Sequence, residues 1–215
     1  MVAMDIAAKI DHTLLKPDAT EKDIVKLCHE AVKYGFASVC VNPIYLCTAA
    51  RLLHGTNVAP TTVVGFPLGA VLTESKVQEI LAAKAHGARE VDLVMNIGRA
   101  KSGDWHLVRR DVELSVQTAQ SCGLKIKVII ETALLDQEEK QKAAQIVKEA
   151  GADFIKTSTG FFGGATVEDV KALKEWVGPT VKVKASGGIR TKEFALELLQ
   201  AGAERLGSSS GPALL

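Results

Sequence analysis

Hydrophobic and polar positions along this chain follow one recurring rhythm. A stretch with apolar residues at helical spacing runs into a glycine, and a short run rich in valine and isoleucine follows. The glycines are Gly35, Gly55, Gly87, Gly123, Gly151, Gly178 and Gly202. Glycine suits the left-handed position that ends a helix, and short β-branched runs suit buried parallel strands. These seven junctions, with an opening strand at residues 10–15, predict eight strands. Between them Ile24, Leu27, Cys28 and Ala31 share one helical face, as do Ala143, Ile146, Val147 and Ala150. Helix starts are signalled at Thr20 with Asp23, Asp136 with Glu139, and Thr166 with Asp169.

Alternating strands and helices imply a parallel sheet covered by helices. Eight strands in 215 residues predict an α/β chain forming a single-domain (β/α)8 TIM barrel over 1–215, at the small end of that fold's range. A doubly wound open sheet is the structural alternative. Little sequence follows the eighth strand, so the final helix is expected to be short or absent. The apolar N-terminal stretch is expected to cover that end. No linker, low-complexity tract or second domain interrupts the rhythm.

Composition removes several function classes. Hydrophobic residues make up 47% of the chain and mean hydropathy is +0.14, which sets aside wholesale disorder. No apolar run reaches the roughly 18 residues that span a bilayer. The 26 basic and 25 acidic residues nearly cancel, so nothing marks a nucleic-acid or membrane partner. The opening MVAMDIAAKIDHTLLK lacks a basic segment followed by an apolar one, and the expectation is a cytoplasmic protein. Four cysteines form no C-x-x-C pair, and five histidines form no paired-ligand spacing. No metal is expected.

In a barrel, reacting groups sit at the C-terminal strand ends and in the loops beyond. Lysine is almost never fully buried unless paired, yet Lys127, Lys156 and Lys184 lie among valine, isoleucine and phenylalanine. Each lysine by itself reads equally as a strand-end group reaching solvent. Together they read differently, because neighbouring like charges and desolvation both favour a neutral amine. A neutral lysine attacks carbonyl carbon, the first step of Schiff-base chemistry. Lys156 and Lys184 are one βα unit apart and project from adjacent strands. Lys182 shares the face of Lys184 and is a rival modulating charge; spacing does not choose between them. Asp92, inside the apolar EVDLVMN, reads either as partner to a buried lysine or as a proton relay. Asp11 is a weaker carboxylate of the same type. Gly187-Gly188 after strand seven and Ser208–Gly211 after strand eight suit an anion cradle, at the two loops where barrels frequently hold phosphate. Phe161 and Phe162, beside Lys156, read as a lid or as loop packing.

The segments IDHTLLKP (10–17), VCVNP (39–43), VVGFPLG (63–69), EVDLVMNIG (90–98), KVIIETALL (127–135), FIKTSTGF (154–161), VKASGGIRT (183–191) and RLGSSSG (205–211) together resemble the deoxyribose-phosphate aldolase family. The resemblance is colinear over nearly the whole chain. It implies a class I aldolase on a TIM barrel, metal-independent and with no cofactor beyond a covalent imine on lysine. The implied reaction is the reversible cleavage of 2-deoxy-D-ribose 5-phosphate into D-glyceraldehyde 3-phosphate and acetaldehyde. By the same resemblance Lys156 forms the Schiff base, Lys184 depresses its pKa and joins the acid–base steps, and Asp92 donates and accepts protons. Asp11, Cys40 and Thr159 are expected to line the sugar part of the pocket. Gly187, Gly188, Ser209 and Ser210 are expected to hold the phosphate, and Lys127 to lie near the lysine pair. A homodimer is implied as well. Phe161 stands where some members carry a lysine, and the loop 160–166 is shorter than is usual in the family. The rival readings are another Schiff-base sugar-phosphate aldolase or a transaldolase-like enzyme, a metal-dependent aldolase or isomerase, and a barrel that binds phosphate without turnover.

Overall fold

The computed structural model describes residues 6–215. Eight parallel strands close into one barrel in chain order. They are β1 (Ile10–Leu14), β2 (Ser38–Val41), β3 (Ala59–Val64), β4 (Glu90–Val94), β5 (Lys125–Ile129), β6 (Phe154–Lys156), β7 (Lys182–Ser186) and β8 (Arg205–Ser208). The helices outside are α1 (Glu21–Tyr34), α2 (Leu46–Leu52), α3 (Thr73–Ala85), α4 (Ile97–Lys101), α5 (Trp105–Ser121), α6 (Gln137–Glu149), α7 (Val167–Val177) and α8 (Lys192–Gln200). This is the (β/α)8 barrel expected from the alternation, and the open-sheet alternative falls because β1 pairs with both β2 and β8.

The local rules act where the sequence placed them. Ile24, Leu27, Cys28 and Ala31 are the buried face of α1, and on α6 Ala143, Ile146 and Val147 are buried with Ala150 partly so. Thr20 with Asp23, and Asp136 with Glu139, form reciprocal capping boxes that satisfy orphan amides in the first turn. Thr166 accepts from the amide of Asp169 at the start of α7. All seven junction glycines have positive φ. At Gly35, for instance, φ of 70° lets the amide of the next residue return to Ala31 and close α1.

The barrel is completed as expected after its last strand. Only a 3-10 turn, Gly211–Leu214, follows β8, where Leu214 is buried. The expectation for the N-terminal stretch lies partly outside the described residues. Within them, Ile6 is buried in the core and Ala7–Lys9 form a 3-10 turn leading into β1. The apolar core lies between the strands' outer faces and the helices. The barrel interior differs from the aliphatic filling usual for this fold, because a linked set of charged side chains occupies it.

Candidate active site

Alternation along each strand turns every second side chain inward. Register then sets inward residues side by side: Asp92 beside Lys127, and Lys156 beside Lys184. The Asp92 carboxylate is the hub. Its Oδ2 accepts from Lys156 Nζ at 2.7 Å and from Lys184 Nζ at 2.7 Å, while Oδ1 accepts from Lys127 Nζ at 2.9 Å. Lys184 also donates to Asp11 Oδ2. Lys127 reaches Glu90 at 2.7 Å, and Arg205 donates to Asp11 Oδ1 at 2.6 Å and contacts Glu90 at 3.3 Å. Asp11, Asp92, Lys127 and Lys184 are fully buried, and Lys156 is 3% exposed.

A charge in such a place persists only if its partners outweigh the loss of water. Burial pushes the Asp92 carboxyl up, but Lys127, Lys156 and Lys184 together hold it well below the usual carboxylate range. Asp11 is likewise held low, burial being outweighed by Lys184, Lys127 and Arg205. Burial lowers Lys127 and Lys184, yet their carboxylates win and both ammonium pKa values rise. Lys156 goes the other way. Burial lowers its pKa, Asp92 opposes, Lys184 adds to the lowering, and the net direction is down. Within the set, Lys156 is the lysine whose ammonium form is disfavoured relative to an ordinary lysine.

That amine is also the one that reaches open space. A cavity of about 480 Å³ at the C-terminal mouth is lined by Lys156, Thr159, Gly160 and Phe161, by Ser186–Arg190, by Gly207–Ser209 and by Thr13–Lys16. Gly187 and Gly188 both have positive φ, 87° and 77°. A Cβ on Gly187 would meet the Gly163 carbonyl at 2.8 Å, so the loop beyond β6 packs backbone to backbone on the loop beyond β7. Among the described residues, the amides of Gly188 and Ser209 bond to no protein acceptor. Lys16 and Arg190 supply two exposed cations to the same wall. Successive amides and nearby cations suit an anion of phosphate size.

The candidate residues separate by depth. Lys156, Thr159, Gly187, Gly188 and Ser209 line the cavity. Asp11, expected against the sugar, lies below it with its carboxylate on Lys184 and Arg205; two residues on, Thr13 takes the cavity position of that strand face. Cys40 is also fully buried and off the cavity wall, its thiol pushed up to about 12 by burial and by Asp92. Lys127 sits in the middle of β5 among three carboxylates, linked to the lysine pair through Asp92 rather than facing the mouth. Ser210 is off the wall too, and its amide is spent on Ser208 Oγ at 3.0 Å. Lys182 is removed as the rival modulator: it is exposed at the opposite end of β7, with Nζ 5.8 Å from the Phe154 ring centre.

Other parts of the site were not singled out from the sequence. Glu90 and Arg205 each begin a strand, a place where charge ordinarily reads as solvated; their two-residue offset from Asp92 and Gly207 was the available signal. Lys16 and Arg190 lie within IDHTLLKP and VKASGGIRT, where a basic residue after a strand reads as ordinary surface charge. Glu131 is fully buried with φ of 57°, the one non-glycine at positive φ among the described residues, and accepts from the Thr159 amide at 3.0 Å and from its hydroxyl. Phe161 is half exposed and meets Phe66 edge-on at 5.4 Å, forming an aromatic rim. Among the described residues no group of three or more His, Cys, Asp or Glu is placed to hold a metal ion. No described helix is long and apolar enough to cross a membrane.

Comparison with known proteins is consistent across sequence and structure. The family model described as DeoC/LacD family aldolase matches residues 5–214. A deoxyribose-phosphate aldolase from Desulfitobacterium hafniense is 68% identical over 98% of this chain and 97% of its own length. One from Thermococcus gammatolerans is 56% identical over 98% of this chain and 95% of its own. A solved deoxyribose phosphate aldolase from Aeropyrum pernix, described as a unique tetramer, superposes with a TM-score of 0.91 at 36% identity, covering 97% of this chain and 88% of its own.

Proposed function

The chain belongs to the DeoC/LacD family of aldolases, and from that premise we propose that it cleaves 2-deoxy-D-ribose 5-phosphate reversibly to D-glyceraldehyde 3-phosphate and acetaldehyde through an imine on Lys156. The observation that carries this reading is that Lys156 is at once the set's cavity-lining amine and its one lysine with a lowered pKa. The relatives' names supply the substrate.

In the cleavage direction, neutral Lys156 Nζ adds to the C1 aldehyde of the open-chain sugar. Asp92, shared between Lys156 and Lys184, passes protons so that the carbinolamine oxygen leaves as water. The resulting iminium draws electrons. Deprotonation of the C3 hydroxyl breaks the C2–C3 bond, its electron pair moving to C1–C2 as the nitrogen regains neutrality. Glyceraldehyde 3-phosphate departs with C3–C5. The two-carbon enamine is protonated at C2, and water hydrolyses the iminium to acetaldehyde and the free amine. No metal or organic cofactor is needed in this scheme.

Borohydride reduction in the presence of acetaldehyde and EDTA tests the reading. The expected product is an ethyl group on the peptide carrying Lys156, found by mass spectrometry. Turnover of deoxyribose 5-phosphate with no such adduct would rule the imine out.

The phosphate end is tested separately. Arg190→Ala removes a cation from the wall, and a charge-assisted hydrogen bond of this type is worth about tenfold or more in binding. KM for the sugar phosphate is expected to rise by about that factor, while acetaldehyde trapping stays at the wild-type rate. Equal losses in both assays would mean that Arg190 acts on the fold rather than on phosphate. Self-association as a homodimer is proposed with this reading, and light scattering reads it directly.

A further inference from the structure

Among the described residues, seven ionisable side chains in the barrel are joined by direct contacts: Lys127, Lys156, Lys184 and Arg205 face Asp11, Glu90 and Asp92. Four cations confront three carboxylates. In a medium that solvates charge poorly, an unmatched cation is costly, and the cheapest remedy is for one of the four to give up its proton. Guanidinium does not do so. Lys127 and Lys184 each touch two or three carboxylates, whereas Lys156 bonds to Asp92 alone.

Arg205 is what tips this balance, and it does so from the far end of the barrel. It starts β8, is 12% exposed in its side chain, lies 5.3 Å from the Phe154 ring centre, and touches neither Lys156 nor the cavity wall. We infer that Arg205 is a positioning residue that keeps the Lys156 amine neutral from the barrel floor, by supplying the fourth cation and saturating Asp11 and Glu90. Without it, three cations match three carboxylates, and Lys156 has no reason to release its proton. This rests on the imine reading above.

Among the described residues, the other groups around Lys156 leave the count intact. β2 presents Cys40, a thiol held neutral by burial, and β3 carries no ionisable side chain. Lys182 on β7 is exposed to solvent. Of the surrounding loops, Glu131 bonds to Thr159, and Lys16 and Arg190 stand on the cavity wall; none is bonded to the set.

Opposite substitutions within the set make the test. The rate of borohydride-trapped imine formation from acetaldehyde is followed against pH in wild type, R205Q, R205K and E90Q. In R205Q the acidic limb is expected to move to higher pH by about one unit, so the rate on that limb falls roughly tenfold, with the alkaline plateau retained. R205K keeps the charge and the wild-type limb. E90Q removes a carboxylate, so its limb moves to lower pH. A merely structural role would not displace the limb in opposite directions for the two charge changes. If wild type forms the adduct on Lys156 and both limbs stay put, or both move the same way, the inference is overturned while the imine reading stands. If wild type forms no adduct on Lys156, both fall. Should R205Q not fold, E90Q decides: an acid displacement supports the inference and none overturns it.

Discussion

Lys156→Ala is expected to lower turnover of deoxyribose 5-phosphate by at least about four orders of magnitude, the size of loss seen when a covalent nucleophile is removed. The same change is expected to abolish the reducible acetaldehyde adduct. No neighbour can replace the amine. Lys184 lies off the cavity wall and shares its ammonium between Asp11 and Asp92, while Lys127 is held by Glu90, Asp92 and Asp11. The fold should tolerate the loss, since three cations then match three carboxylates. Thermal unfolding near the wild-type temperature would therefore accompany the inactive variant. Retention of more than about 1% of wild-type turnover, on a covalent route that needs this amine, with an adduct on a different lysine, would reassign the nucleophile.

The fold was legible because its signals are local and repeated. Helical spacing such as Ile24, Leu27, Cys28 and Ala31 marks a face that is then buried, and each junction glycine stands where the chain turns left-handed. Topology follows from alternation, since one parallel βα order closes on itself. The site was legible where inward alternation and adjacency suffice, as for Lys156 and Lys184 at matching register. Depth was not. Lys125 and Lys182 begin their strands and are exposed, while Glu90 and Arg205 begin theirs and are buried or nearly so. The four positions look alike in sequence. They differ through the stagger of a closed barrel, which sets how far each strand start rises above the floor. The same stagger draws Asp11 and Cys40 below the cavity that Thr13 lines. Arg205 carries no local signal in the sequence, because its partners, Asp11 and Glu90, lie 194 and 115 positions away along the chain.

Lys184→Leu is expected to cost about three orders of magnitude in kcat/KM at neutral pH, within the range of a lost acid–base group joined to a mistuned nucleophile. The sign follows from the contacts. Lys184 repels the Lys156 ammonium and competes with it for Asp92 Oδ2. Removing that cation raises the Lys156 pKa, so the neutral fraction at fixed pH falls and the acidic limb moves to higher pH. Raising the pH should then recover part of the rate, but not the part that depends on proton transfer through Lys184. Lys184→Arg separates the two contributions. Its guanidinium stays charged, so the limb should remain near its wild-type position, yet it releases no proton and kcat stays low. A Leu variant with an unmoved limb, or an Arg variant with wild-type kcat, would confine Lys184 to holding Asp11 and Asp92 in place.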